Sequence, residues 1–110
     1  MPSIRWWLAI SALVLAANAH AQSYPTKPVK IIVAFTAGSA TDIIARLTAD
    51  YFSKSLGQAF IVENKPGAGG ILGTEAAKNA ASDGYTLTAC PSGPFAINPG
   101  IDKALPYDPI

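Results

Sequence analysis

Val29-Lys30-Ile31-Ile32-Val33-Ala34-Phe35-Thr36-Ala37-Gly38-Ser39-Ala40-Thr41-Asp42 is the stretch on which the fold turns. Val29 to Phe35 is a nearly unbroken apolar run, the pattern of a strand covered on both faces. The chemistry then changes to small and hydroxylated residues around Gly38. Beyond them Ile43, Ile44, Leu47, Tyr51 and Phe52 recur at roughly helical spacing as far as Leu56, with Gly57 as the stop. This predicts a loop feeding an amphipathic helix. Ser39 stands three residues before Asp42, a capping-box-like pair that satisfies amide donors at the helix start and sets a carboxylate near its positive end.

Downstream the unit repeats. Phe60-Ile61-Val62 reads as a second short strand, and Glu63 to Gly70 is a glycine-dense loop leading into Leu72, Ala76, Ala77 and Lys78. Ser82-Asp83-Gly84 has turn chemistry, Tyr85 to Ala89 supplies a third strand, and Cys90-Pro91-Ser92-Gly93-Pro94 forms one more loop. Strands alternating with helices across short connections predict an α/β fold with a parallel sheet in β-α-β-α-β order and right-handed crossovers. Tyr24 to Pro28, with two prolines, is an extended lead-in. The tail from Asn98 to Ile110 shows no finished element, and three strands with two helices make a marginal core. The expectation is that residues 22–110 are the N-terminal part of a longer domain.

Upstream, Arg5 precedes an apolar run from Trp6 to Ala17, and the small-x-small triplet Ala19-His20-Ala21 follows it. The run is shorter than the roughly 20 residues that span a bilayer, so residues 1–21 read as a secretory signal peptide cleaved after Ala21, with export to the periplasm and no stable membrane insertion afterwards. Arg5 is the one cation lost with it, which leaves the seven Asp+Glu balanced by the other Lys+Arg of the total of 8. A neutral chain without a Lys/Arg run is no nucleic-acid binder. His20 is the single histidine, so the processed chain has none, which excludes Ser-His-Asp and Cys-His catalysis and histidine-ligated metals. Cys90 is alone and can form no internal disulfide; with no base nearby it reads as a small buried residue.

Chemistry in an open parallel sheet belongs outside the carboxyl ends of the strands. Three loops fall there, Thr36 to Asp42, Pro66 to Gly70 and Pro91 to Gly93, all rich in Gly, Ser, Thr and Ala. Their amides can approach a ligand closely, and the first two precede helix starts that favour an anion such as a small carboxylate. Tight turning alone would also explain the glycines. Gly67 to Gly73 approaches G-x-G-x-x-G, yet Leu72 holds the third glycine's place and no Gly-Lys-Ser/Thr follows, so a dinucleotide or phosphate loop is weakly signalled. Asp42 lacks a second carboxylate for acid/base pairing, and helix capping explains it better. Phe35 could wall a pocket or finish the core.

Taken together, Tyr24-Pro25-x-Lys27-Pro28-Val29-Lys30, Phe35 to Arg46 with Ala40-Thr41-Asp42-Ile43-Ile44-Ala45-Arg46, Val62 to Gly70, Asp83 to Leu87, Ala96 to Pro99 and Leu105 to Pro109 resemble the periplasmic receptors of tripartite tricarboxylate transporters, the Bug family. The resemblance runs in order over the whole processed chain. It implies a type II periplasmic-binding-protein lobe, one of two that close on a small carboxylate (a di- or tricarboxylate, an acidic amino acid or a related acid) and deliver it to membrane permease subunits. It implies no catalytic residue, metal or cofactor. Carried over, the ligand-facing positions are Phe35, Gly38, Thr41, Asp42, Ala68, Gly69 and Ser92, with Ser39 beside the expected anion. The first loop departs from the family's Pro-Phe-x-Pro-Gly-Gly: Ala34 to Ser39 lacks both prolines and the second glycine, and the Ser39 hydroxyl can add a hydrogen bond or displace a bridging water. The competing readings are a Rossmann-like nucleotide-binding enzyme domain and a small exported module that needs a partner to complete its core.

Overall fold

The structure, a computed structural model, describes residues 23–109. The expected signal peptide and its cleavage after Ala21 lie outside them. Strand β1 (Val29–Val33) is followed by helix α1 (Ala40–Leu56), strand β2 (Phe60–Asn64), a single turn at Ala68–Gly70, helix α2 (Ile71–Lys78) and strand β3 (Thr86–Ala89). A π-helical turn over Gly93–Ile97 then runs directly into the short helix α3 (Asn98–Ile101).

The sheet has the order β2-β1-β3 and is parallel throughout, with Val29 opposite Phe60, Val33 opposite Asn64, and Lys30 to Val33 opposite Thr86 to Ala89. The central position of β1 is what its apolar run encodes. Parallel strands reached by right-handed crossovers in opposite directions put their helices on opposite faces. Val29, Ile31 and Val33 accordingly meet Ala45 and Ala49 of α1, together with Phe60. On the other face Gly73 of α2 lies against Ala34. Burying each of these Val and Ile side chains contributes roughly 1.5–3 kcal/mol, and β1 supplies all of them.

Helix α1 begins and ends as its sequence dictates. The Ser39 hydroxyl accepts the Asp42 amide at 3.3 Å, and Gly57, at φ 70°, donates its N–H to the Ser53 carbonyl. The face it turns inward is not the one its large apolar residues suggest. Asp42, Ala45 and Ala49 are buried, whereas Ile44, Leu47 and Tyr51 are 65%, 68% and 67% exposed. Small residues let the helix axis approach the sheet, and Phe52 fills the far end against Phe60 with ring centroids 5.4 Å apart.

Two other expectations change. Strand β2 continues past Val62 to Asn64, because parallel pairing with β1 runs on to Val33 and the Lys65 amide then bonds the Val33 carbonyl at 2.8 Å. The chain is helical from Gly93 to Ile101, where a loop and the start of an unfinished tail were expected, and residues 102–109 carry no regular element. Pro94 and Pro99 each sit in a first helical turn. Pro99 has a further effect. In π geometry the Pro94 carbonyl would receive the N–H of residue 99, which proline lacks; the Tyr107 hydroxyl donates to it instead, buried, at 2.8 Å. No helix among the described residues is long and apolar enough to cross a membrane.

Candidate functional site

The three glycine loops gather at the carboxyl ends of the three strands. In the first, Thr36 and Ser39 close a turn through Ser39 N–H to Thr36 carbonyl, with Gly38 at φ 84°. Beneath it lies a polar cluster. Asp42, 2% exposed, takes the Gly38 amide on Oδ2 at 2.8 Å and Arg46 Nε on the same oxygen at 3.0 Å. Its Oδ1 accepts from Asn64 Nδ2 at 2.8 Å. The Arg46 hydrogen bond, then those of Gly38 and Asn64, hold the Asp42 carboxyl down at about 2, so it is a carboxylate at every physiological pH. Next to Asn64, Glu63 is likewise held at about 2, by Lys30 and then Lys65.

The second loop is shaped by backbone conformation. Gly67, Ala68, Gly69 and Gly70 have φ of 136°, 49°, 64° and 91°, four successive positive values of which only Ala68 carries a side chain. The Gly70 amide closes the turn on the Gly67 carbonyl at 3.0 Å. A Cβ on Gly70 would lie 2.6 Å from Pro94 Cγ and 3.1 Å from Phe35 Cε2, so this glycine is where the three loops meet. The buried Thr74 hydroxyl donates to the Gly70 carbonyl at 2.8 Å. That spends its only proton, so the Cys90 thiol 3.7 Å away is the donor of that pair; burial pushes the thiol's pKa up, away from reactivity.

All the residues singled out from the sequence therefore lie at one end of the sheet, in different roles. The half-buried Phe35 ring packs against the core and on Gly70, the core-finishing one of the two roles weighed for it. Ala68, Gly69 and Ser92 are exposed, and Asn98 Nδ2 ties loop two to the third segment through the Gly69 carbonyl at 3.4 Å. Thr41 and Ser39 are half-buried at the start of α1. Because Ser39 Oγ accepts from Asp42, its hydroxyl proton is left to donate. The Gly38 amide points inward to Asp42, and both Asp42 oxygens are occupied from within, so these two residues act on the loop's shape. Sequence reading missed Asn64, Arg46, Gly70, Gly73 and Thr74. Signals existed for Arg46, four residues after Asp42, and for Asn64, a polar residue ending an apolar strand. No three His, Cys, Asp or Glu side chains among the described residues are grouped as a metal site requires.

Comparison with known proteins places these loops in context. Residues 44–110 match the family described as tripartite tricarboxylate transporter family receptor, TctC. Protein BugT of Bordetella pertussis is 40% identical over 99 residues, 89% of this chain and 30% of the relative. A Rhodopseudomonas palustris protein solved with adipate is 35% identical with a TM-score of 0.75, over 78% of this chain and 29% of that one. MatC from the same organism, solved with bound malate, is 36% identical with a TM-score of 0.73, over the same 78% and 29%. The chain thus spans about a third of the length of the curated relatives it matches.

Proposed function

This chain belongs to the tripartite tricarboxylate transporter receptor family, and from that premise we propose that it serves in an extracytoplasmic receptor that captures a small carboxylic acid and presents it to the permease subunits of such a transporter. Receptors of this family bind their substrate and do not transform it, so no covalent step is assigned to any residue. Residues 23–109 form the part of the first lobe that offers one wall of the cleft. The acid, a di- or tricarboxylate or an acidic amino acid, lies over the start of α1 and against Ala68, Gly69 and Ser92. The first-turn amides of a helix have no carbonyl one turn earlier, and the Ser39 hydroxyl adds a donor beside them.

The observation that carries this reading is the pair of similar structures holding adipate and malate, two dicarboxylates, on chains whose fold matches this one over 78% of its length. Its physical mechanism is closure of a second lobe over the acid, the closed state favoured by contacts to both walls.

Calorimetric titration of the protein at its full cellular length with malate, adipate, citrate and glutamate tests it, with NADH as the opposing probe. Saturable binding of at least one acid and none of NADH is expected. Nucleotide binding, or silence toward every acid, would refute the assignment.

A further inference from the structure

Asn64 has no role in the reading above, yet it holds the centre of the polar cluster under the first loop. Its Nδ2 donates to the Phe35 carbonyl at 3.0 Å and to Asp42 Oδ1 at 2.8 Å, while its Oδ1 accepts from Arg46 Nη2 at 3.0 Å. Asp42 completes the ring by holding the Gly38 amide and Arg46 Nε. The Phe35 carbonyl and the Gly38 amide are the two ends of the first loop; Asn64 holds the one, Asp42 the other, and Arg46 ties those two side chains together. No buried side-chain polar atom among the described residues is left without a partner, so the cluster is closed.

We propose that Asn64, acting with Asp42 and Arg46, is a positioning residue that sets ligand affinity by fixing the first loop without touching the ligand. This rests on the carboxylate reading of the site. Two physical arguments support it. A site built from backbone amides binds well only if the backbone is held before the ligand arrives, because ordering it on binding would subtract from affinity. A carboxylate buried behind an anion site also repels its ligand unless neutralised, and Arg46 supplies that charge. Only an amide at position 64 can donate to Phe35 and Asp42 from one end while accepting from Arg46 at the other. Aspartate would set a negative oxygen against both acceptors.

The test measures Kd for whichever acid the wild-type protein binds, beside melting temperature, in Asn64→Ala, Asn64→Asp and the more conservative Arg46→Gln, which alters a half-exposed side chain and keeps Asn64. Phe52→Leu, a core change at the far end of α1, controls for lost stability. Asn64→Ala is expected to weaken binding about tenfold and Asn64→Asp further, Arg46→Gln about threefold, and Phe52→Leu not at all. Folded Asn64→Ala and Arg46→Gln proteins with the wild-type Kd would overturn the proposal. So would a Phe52→Leu protein weakened as much as Asn64→Ala, since affinity would then follow stability alone. A wild-type protein that binds none of the acids is a different result, and it overturns the carboxylate reading itself.

Discussion

The first and second glycine loops occupy equivalent places, each between a strand's carboxyl end and a helix start, yet they are held by opposite means. The first is held by side chains: Asp42 and Asn64 reach up to its backbone, and Arg46 braces both. The second is held by the absence of side chains. Gly73 lets α2 settle so closely that a Cβ there would stand 2.6 Å from Ala34 Cα and 2.8 Å from the Lys65 carbonyl oxygen, and Gly70 admits Pro94 and Phe35. A loop fixed by charge responds to protons, whereas a loop fixed by close contact responds to volume.

The widest separation between the two comes from volume. Gly73→Ala forces backbone apart on two sides and should cost about 3 kcal/mol in urea unfolding. A loss below about 1 kcal/mol would mean that α2 slides away freely and that the second loop is not set by this contact. Protons separate them next. The Asp42 carboxyl is depressed to about 2 from an ordinary value near 3.9, so its contribution is complete above about pH 4 and disappears as pH falls through 2. Amide exchange followed by NMR should therefore show Gly38 losing protection relative to Gly70 between pH 4 and 2. Equal behaviour of the two amides would erase the distinction. The smallest effect belongs to Ala68. At φ 49° its side chain costs about 1 kcal/mol, and the Ala68→Gly change returns most of that as unfolded-chain entropy, so stability should move by no more than about 0.5 kcal/mol. A loss above 1 kcal/mol would show that the Ala68 methyl group makes a contact worth more than its strain.

How far the sequence disclosed this depended on the range of each interaction. Strand β1, the Ser39 cap, the Gly57 stop and the position of the first two loops follow from neighbours within a few residues, and periodicity reports those. The inward face of α1 did not follow, because Ile44 and Leu47 look like core by hydropathy while the approach of the helix to β1 selects Ala45 and Ala49. Counted from Gly67, the dinucleotide spacing puts its third glycine at Leu72. Gly70 begins the helix here, which moves the close contact to Gly73. Asn64 stands out in the sequence only as a polar residue ending an apolar strand, and its partners, 18 to 29 positions away, are not legible there.

The tyrosine hydroxyl that completes the π turn has a consequence for the order in which the chain can assemble. Gly38 finds Asp42 four residues on, and Gly70 finds Gly67 three residues back, so the turns of the first two loops can close as soon as their own segments exist. Pro99 offers the Pro94 carbonyl no N–H, and that carbonyl takes the hydroxyl of Tyr107, 13 residues downstream. During synthesis or threading from the N-terminus, the third loop is therefore the last of the three to become complete, and its closure marks the arrival of chain well beyond the sheet it serves.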